Sequence, residues 1–239
     1  MQLRKINIEK ILFLDIETVP QVYNFSELDE KTAELYLQKN KFIQERDELS
    51  NEAVYERAGV FAEFGKIVCI SCGIVTEQSG GKEIRMKSFA GDDEKVLLEE
   101  FAEMLNKHYN SPYHILCGHN AKEFDFPFLG RRMLIHGIDL PGVLDIAGKK
   151  PWEVNHLDTM ELWKFGDYKH YTSMSLLCHI FNIPTPKDDI SGADVARVYY
   201  EENDLDRIVT YCQKDVIALI QLFLRFRNEP LVEEDNIVL

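Results

Sequence analysis

Hydrophobic residues along this chain follow two periods, one typical of strands and one typical of helices. An apolar run at 11–14 predicts a buried central strand, and residues 66–75 followed by 83–89 predict a hairpin. Shorter patterns at 114–117 and 153–160 predict two further strands. Helical spacing predicts a helix capped by Asp92 or Asp93 and helices over 173–181, 192–200 and 205–226. This alternation favours an α/β fold, with a central mixed sheet of five to six strands flanked by helices.

The segment at 24–62 interrupts this order just after the first strand, which Pro20 ends. It is more polar than the rest and predicts one or two amphipathic helices, with Ser26 as an N-cap and Asp29 three positions on. We interpret it as a helical insertion, either a lid or partner-binding arm or a helix pair packed on the core. Since we find no repeat, low-complexity tract or linker, we expect a single domain over 1–239.

Composition is typical of a cytosolic protein with a core of its own. Hydrophobic residues make up 45% of the 239 residues. No stretch approaches the roughly 18 apolar residues of a membrane helix, and polar Asn7 and Glu9 interrupt any signal-peptide pattern near the start. The five cysteines are odd in number and lie in apolar patterns, which favours reduced, packed thiols. Cys69 and Cys72 are three apart on a predicted strand, so they face opposite sides. We expect a cytoplasmic protein with no membrane association.

Net charge restricts the mode of nucleic-acid binding. With 27 basic and 41 acidic residues the formal charge is −14, which argues against a protein that coats duplex DNA. The objection is weaker for an enzyme that grips one short end. Several basic residues form a candidate groove or, alternatively, an ordinary solvated face: Lys122, Arg131, Arg132, Lys149, Lys150, Lys164, Lys169 and Lys187.

Three separated segments place carboxylates where they could act together. Asp15 and Glu17 are two apart on the apolar strand and so share one face, where buried carboxylates need protons or cations for compensation. Asp125 is at a predicted helix entrance, where it is either a functional acid or a simple cap. Tyr211 and Asp215 are one helical turn apart, where they are either functional or an ordinary hydrogen-bonded rim.

Taken together, the residue types, order and spacing of these segments resemble the DEDD exonuclease superfamily. Residues 13–20 (Phe-Leu-Asp-Ile-Glu-Thr-Val-Pro) resemble its first motif, residues 118–129 its second, and residues 211–215 its third; residues 184–195 also resemble a stretch of its stand-alone members. The tyrosine-type branch has Tyr four positions before the last Asp, as Tyr211 is here, whereas the histidine type would need His where this chain has Thr210. The chain is most similar to stand-alone 3'-5' exonucleases related to the proofreading domain of family-B DNA polymerases.

The resemblance implies a fold, a cofactor and a mechanism. It implies a ribonuclease H-like sheet and two divalent ions, Mg or Mn, held by Asp15, Glu17, Asp125 and Asp215. One ion would carry the attacking water and the other would support the leaving 3' oxygen. Tyr211, a poor base because a phenol has a pKa near ~10, would orient the water. We therefore expect hydrolysis from the 3' end of single-stranded DNA, with release of nucleoside 5'-monophosphates.

The substrate contacts and the alternatives depend on weaker signals. Asn120 and Phe124 match positions that touch the terminal nucleotide in the family, although Phe124 could equally be core, and Thr18 and Lys187 complete the candidate substrate-binding set. His119 is either a ligand or a turn histidine, and the sequence assigns no role to Asp158. Two alternatives remain: a 3'-5' exoribonuclease, or a non-catalytic end-binding or scaffold module with the 24–62 insertion as its protein-partner surface. We expect DNA more than RNA as the partner.

Overall fold

The strands form a single mixed sheet. The computed structural model of the chain describes residues 3–78, 80–167, 171–184 and 190–239. Within these ranges the strands are β1 Ile11–Pro20, β2 Gly65–Gln78, β3 Gly81–Ala90, β4 Ile115–Gly118, β5 Leu157–Asp158 and β6 Ile237–Val238. They are arranged in the order β5-β4-β1-β2-β3-β6. The predicted hairpin is β2–β3, and β6 is a strand that the sequence pattern did not predict.

Strand directions confirm the expected mixture. β1 pairs antiparallel with β2, and β2 antiparallel with β3. β1 pairs parallel with β4, β4 with β5, and β3 with β6. Because β1 and β4 are parallel neighbours, their carboxyl ends meet at one edge of the sheet. The first and second motifs are therefore brought side by side.

The helices cover both faces of the sheet. Their bounds are α1 Glu30–Arg46, α2 Asn51–Tyr55, α3 Glu94–His108, α4 Asp125–Ile135, α5 Thr159–Lys164, α6 Met174–Ile180, α7 Val195–Arg197 and α8 Leu205–Phe226. Asp93 caps α3, as predicted, and Ser173 caps α6. Of the helices in the described ranges, none is both long and apolar enough to span a bilayer.

β1 has apolar side chains on both faces, which explains its continuous apolar run. Leu12, Leu14 and Ile16 pack in the core formed with α3 and α4. Ile11 and Phe13 pack in the core formed with α8, where the Phe13 and Phe223 rings lie 5.3 Å apart. Asp15 and Glu17 continue the row that faces α8, because side chains along a strand alternate between faces. The strand therefore carries its two acids into the interface between sheet and helix.

The insertion packs around an aromatic centre of its own. Tyr36, Tyr55 and Phe64 are buried together, and the Tyr36 hydroxyl donates to the Val54 carbonyl at 2.6 Å. Each buried aromatic contributes roughly 1.5–3 kcal/mol. The helix pair is therefore a packed element of the fold, as one of the two interpretations expected.

Two predicted helix boundaries are wrong for identifiable reasons. Ser26 is not an N-cap but lies inside a 3-10 turn at Phe25–Glu27, and α1 is capped instead by Asp29, whose carboxylate accepts from the Thr32 amide at 3.0 Å. The predicted helix over 192–200 is a short α7 that continues as a π-helical turn at Val198–Glu202. In both places local hydrogen bonds determine the boundary.

The predicted strand over 153–160 is also shorter than expected. Only Leu157–Asp158 pairs with β4, because Asp158 accepts from the amides of Met160 and Glu161 and so begins α5 directly. The five cysteines are buried free thiols, as predicted, with Cys69 and Cys72 packed in the cores on opposite faces of β2.

Candidate active site

β1 contributes two carboxylates to one point below α8. An oxygen of Asp15, an oxygen of Glu17 and the thiol sulfur of Cys212 all lie within 4.8 Å of one another. Asp15 is half-buried, whereas Glu17 is only 7% exposed. A β-bulge follows Glu17, where the register with β2 shifts between Glu17 and Thr18. Such bulges redirect a strand where regular pairing ends.

α4 contributes a third carboxylate from its first residue. Asp125 is 3% exposed, and its Oδ1 accepts from the Ile16 amide at 3.1 Å. This hydrogen bond crosses from α4 to β1, which a carboxylate acting only as a helix cap would not need. It holds Asp125 beside Ile16, which lies between Asp15 and Glu17 on β1.

α8 contributes the third motif. The Cys212 thiol contacts both the Asp15 carbonyl at 3.5 Å and its carboxylate Oδ2 at 3.6 Å. The Tyr211 phenol hydrogen-bonds to the Asp215 carboxylate one turn later. The second and third turns of α8 therefore face the acids of β1.

Electrostatics at this cluster are repulsive. Burial, then repulsion from Asp125, Glu17 and Asp215, raises the pKa of Asp15 well above its usual range. Burial, then repulsion from Asp215, does the same for the pKa of Glu17. Burial raises the pKa of Asp125 to about 7, even though its own amide and that of Ile16 donate to it.

Within the described ranges, these acids have no compensating opposite charge. Among the described residues, no lysine, arginine or histidine forms an ion pair with Asp15, Glu17 or Asp125. Buried carboxylates without cationic partners cost free energy unless they are protonated or bind a cation. Hard oxygen donors of this kind suit Mg or Mn, so the donor set fits divalent ions.

The second-motif loop, residues 118–124, is shaped by close contacts. A side chain at Gly118 would come within 2.3 Å of the Ala121 Cβ, so only glycine fits there. Asn120 has a left-handed backbone with φ of 63°. The Asp158 carboxylate accepts from the Asn120 amide at 2.9 Å and from the Lys122 amide at 3.1 Å. β5 therefore holds the loop in place through Asp158.

His119 packs as a turn histidine. Its Nδ1 lies 2.8 Å from the Thr159 hydroxyl and its Nε2 lies 3.1 Å from the Thr172 carbonyl. Both ring nitrogens are engaged away from the acids. Burial lowers the pKa of His119, even though Asp158 and the Thr172 carbonyl oppose that effect.

The predicted substrate-binding residues have different surroundings. The Thr18 hydroxyl donates to the Gly59 carbonyl at 2.8 Å. Phe124 is half-buried, and its ring lies 5.4 Å from that of Phe128 at the edge of the core. Asn120 is half-buried in the second-motif loop. Lys187, with much of the 184–195 stretch, lies outside the described residues.

The structure brings some of the residues of the candidate basic groove together and separates another from them. Arg132 is wrongly assigned to it, because its guanidinium is buried and donates to Glu94. Lys122, Arg131 and Lys149 do line one open cavity of about 430 Å³ beside α4. Lys169 lies outside the described residues.

Two residues near the acids were not assigned to the site from sequence. Cys212 belongs to the apolar stripe of α8, so its position beside Asp15 and Glu17 has no signal in a hydrophobic pattern. Asp158 was visible as a polar residue ending a predicted strand. Its role as an acceptor for the loop amides depends on the β4–β5 pairing, which the sequence does not specify.

Comparison with known proteins agrees with this geometry. Residues 60–231 match the family described as a predicted 3'-5' exonuclease related to the exonuclease domain of PolB. This span holds the second and third motifs and begins after β1. A search of curated proteins finds no match.

A solved structure with a similar fold is the family B DNA polymerase from the hyperthermophilic archaeon Pyrobaculum calidifontis. The TM-score is 0.56 at 13% identity, over 90% of this chain and 24% of the polymerase. The chain thus spans about a quarter of that polymerase's length. At this identity the likeness concerns the fold, and it confirms the α/β, ribonuclease H-like expectation. Because the family match extends over more than half of its residues, the chain belongs to the family of predicted 3'-5' exonucleases related to the exonuclease domain of PolB.

Proposed function

We propose that this protein is a metal-dependent 3'-5' exonuclease of the tyrosine-type DEDD branch. Its substrate is the 3' end of single-stranded DNA, and its products are nucleoside 5'-monophosphates. The observation that carries the proposal is the convergence of Asp15, Glu17 and Asp125 without a cationic partner among the described residues. The family match supports the same reaction class.

Four carboxylates are the proposed metal ligands. Asp15, Glu17, Asp125 and Asp215 would hold two divalent ions, Mg or Mn, through oxygen donors. When bound, such ions lower the pKa of the attacking water and stabilise charge on the departing 3' oxygen. Burial raises the pKa of the Cys212 thiol, so it remains neutral and is a weak ligand beside the carboxylates.

Tyr211 is the proposed orienting residue. Burial, then the charges of Asp215 and Glu17, raises the pKa of Tyr211 above its already high usual value. The phenol therefore keeps its proton at neutral pH and acts by hydrogen bonding, not as a base. Tyr211→Phe should slow hydrolysis about 10- to 100-fold, since one positioned hydrogen bond is lost. Asp15→Ala should abolish hydrolysis, and equal losses from the two changes would contradict this division of roles.

The second-motif loop is the proposed support for the terminal nucleotide. Asp158 fixes the backbone of Asn120, and Phe124 presents one edge of a half-buried ring. Thr18 would act through its backbone, because its hydroxyl already donates to Gly59. Lys187 completes the proposed set on the basis of the sequence alone.

Three further proposals concern the whole chain. Residues 1–239 form one domain, since the insertion is joined to the core by the Thr18–Gly59 contact and by Arg132 of α4, whose guanidinium donates to the Ala62 carbonyl at 2.9 Å. The insertion is the proposed protein-partner surface, and its helix α1 exposes two apolar side chains, Leu35 at 45% and Phe42 at 74%. Buried free thiols are consistent with a reducing cytoplasm.

The test follows a 5'-labelled single-stranded DNA and a matched RNA on a sequencing gel, with Mg, Mn or EDTA. Wild type should produce a metal-dependent ladder that shortens from the 3' end, and Asp15→Ala should leave the substrate intact. Glu103→Ala, an exposed acid on α3, is the matched control and should behave as wild type. Faster loss of RNA would establish the exoribonuclease instead. Intact substrate with every metal would contradict the exonuclease and favour the non-catalytic end-binding module.

A further inference from the structure

We propose that the single strand upstream of the 3' end lies on a surface formed by Lys122, Lys150, Trp152, Lys164 and Tyr171, here called the aromatic–lysine surface. The inference rests on the proposed function and names where that substrate binds beyond its terminal nucleotide. None of these residues belongs to the three motifs' carboxylate and tyrosine set. The surface would bind successive bases on ring faces and successive phosphates on ammonium groups.

Two aromatic rings on this surface are unusually exposed. Trp152 is 76% exposed and Tyr171 is 65% exposed. Each has a lysine against its face: the Lys150 ammonium lies 5.4 Å from the Trp152 ring centre, and that of Lys164 lies 4.5 Å from the Tyr171 ring centre. A ring beside a cation is the pairing that a stacked base and its phosphate require.

Tyr171 is fixed beside the candidate active site. Its hydroxyl donates to the Glu123 carboxylate at 3.3 Å, in the second-motif loop. The next residue, Thr172, uses its carbonyl to bind His119 of the same loop. The Tyr171 ring is therefore attached to the loop that leads into Asp125.

A groove connects this loop to the second ring. Lys122, Glu123, Arg131, Lys149 and Pro151 all line the cavity of about 430 Å³ beside α4. Lys122 is held at its rim by Glu161, at 2.9 Å. The cavity reaches Pro151, which is next to both Lys150 and Trp152. Each ring–lysine pair thus adjoins a residue that lines this cavity: Tyr171 is bonded to Glu123, and Lys150 and Trp152 flank Pro151.

Charge selects a nucleic acid over a protein segment as the occupant. The chain has 41 acidic and 27 basic residues, yet the walls of this groove carry three basic residues, Lys122, Arg131 and Lys149, against two acidic ones, Glu123 and Glu161. Glu161 pairs with Lys122, so the positive charge offered to a ligand comes from Arg131 and Lys149, with Lys150 next to the groove. An apolar peptide would gain nothing from these cations. A polyanion gains from them, and the gain is lost in high salt.

The first experiment measures oligonucleotide binding under conditions that prevent hydrolysis. The chain has two tryptophans, and Trp163 is packed on Phe181 and Phe226. Trp163→Phe leaves Trp152 as the reporter, and a 12-residue oligothymidylate in EDTA should quench its fluorescence saturably. A fluorescein-labelled oligonucleotide followed by anisotropy gives the same affinity in the wild-type background if Trp163→Phe folds poorly.

Variants then test the assigned residues. Trp152→Ala with Tyr171→Ala should raise the Kd about tenfold or more, the loss expected for stacking platforms. Tyr113→Ala is the matched control, because Tyr113 is 79% exposed but precedes β4, at the end of that strand opposite to the second motif. An unchanged Kd in the double variant, or an equal increase in Tyr113→Ala, would overturn the inference.

A kinetic comparison separates this inference from the proposed function. In wild type with Mg or Mn, kcat/KM for a 12-mer should exceed that for a 3-mer, and the double variant should reduce this ratio about tenfold. If wild type hydrolyses neither substrate, the proposed function fails. If wild type hydrolyses both and the double variant keeps the wild-type ratio, only the aromatic–lysine surface is wrong.

Discussion

Two groups of buried acids in this protein have opposite surroundings. Glu94, the first residue of α3, is 5% exposed and accepts from the Arg132 guanidinium at 2.9 and 2.5 Å and from the Ile67 amide at 2.7 Å. His136 lies 2.7 Å from the same carboxylate. In the candidate active site, whose carboxylates are here called the acidic centre, Asp15 and Glu17 have mainly other carboxylates as charged neighbours.

The pKa directions follow this difference. Burial alone would raise the pKa of Glu94, but hydrogen bonds from Arg132, Ile67 and His136 lower it. Burial and repulsion both raise the pKa values of Asp15 and Glu17. Glu17 and Glu94 are buried to a similar depth, yet the fold supplies a cationic partner to Glu94 and, among the described residues, none to Glu17. The comparison separates an acid that stabilises the fold from acids whose burial and mutual repulsion cost stability.

Removing one acid from the centre should have the largest effect. Asp15→Asn should reduce metal-dependent exonuclease activity roughly a thousandfold or more, because metal ions supply several kcal/mol of transition-state stabilisation. Its metal-free melting temperature should be no lower than that of wild type, because asparagine is the uncharged isostere. Gel assays and thermal unfolding in EDTA measure the two effects. A less stable metal-free variant would contradict the comparison.

Removing the Arg132 guanidinium from Glu94 should have the next largest effect, which is a loss of stability. Arg132→Met should cost about 3–5 kcal/mol of unfolding free energy, since it leaves Glu94 buried without its charge partner. Arg131→Met is the matched control, because Arg131 is exposed and adjacent, and should change stability by about 0.5 kcal/mol at most. Urea unfolding measures both. Similar losses in the two variants would show that Arg132 does not compensate Glu94.

Adding a divalent cation should raise stability through the acids around Asp15 only. Mg or Mn at a hundred times its Kd should raise the unfolding free energy by about 2.7 kcal/mol. For a chain of this size, that corresponds to about 5–10 °C in melting temperature. Asp15→Asn should remove the gain, whereas Arg132→Met should keep it. A gain that survives Asp15→Asn would place the ion elsewhere.

The pH dependence of the Glu94 site should be the smallest effect. Because the folded-state pKa of Glu94 is lowered, its stabilisation is present above the unfolded pKa of about 4.3 and is lost as pH falls through the folded value. Glu94→Gln should therefore be less stable than wild type at pH 7. The difference should narrow as pH falls below about 4.3, as urea unfolding across pH would measure. A difference that is independent of pH would mean that packing, not charge, explains the loss.

The elements that hold the site were largely predictable, because each depends on local periodicity. The apolar run of β1 and the stripe of α8 predicted a buried strand and a long helix, and the structure has both. The shared face of Asp15 and Glu17 follows from strand geometry alone. Their roles as metal ligands stay predictions until the activity and metal assays are made.

The contacts that complete the site were not predictable, because they join distant parts of the chain. Asp125 and Ile16 are 109 residues apart, and Arg132 and Glu94 are 38 apart. The sequence pattern put Arg132 in a basic groove, since nothing local distinguishes a buried arginine from an exposed one. Packing of α4 against α3 determined that Arg132 is buried.

By itself the sequence determined which residues are candidates for chemistry and which secondary structures present them, because residue type and periodicity are local properties. Tertiary structure alone decided which acids have compensating charges: the Arg132 guanidinium donates to Glu94, whereas Asp125 accepts from the neutral Ile16 amide of β1. It also decided that Asp158 supports the second-motif loop. The physical reason is that burial and Coulomb interactions depend on distances in space, which the folded chain sets between residues far apart in sequence.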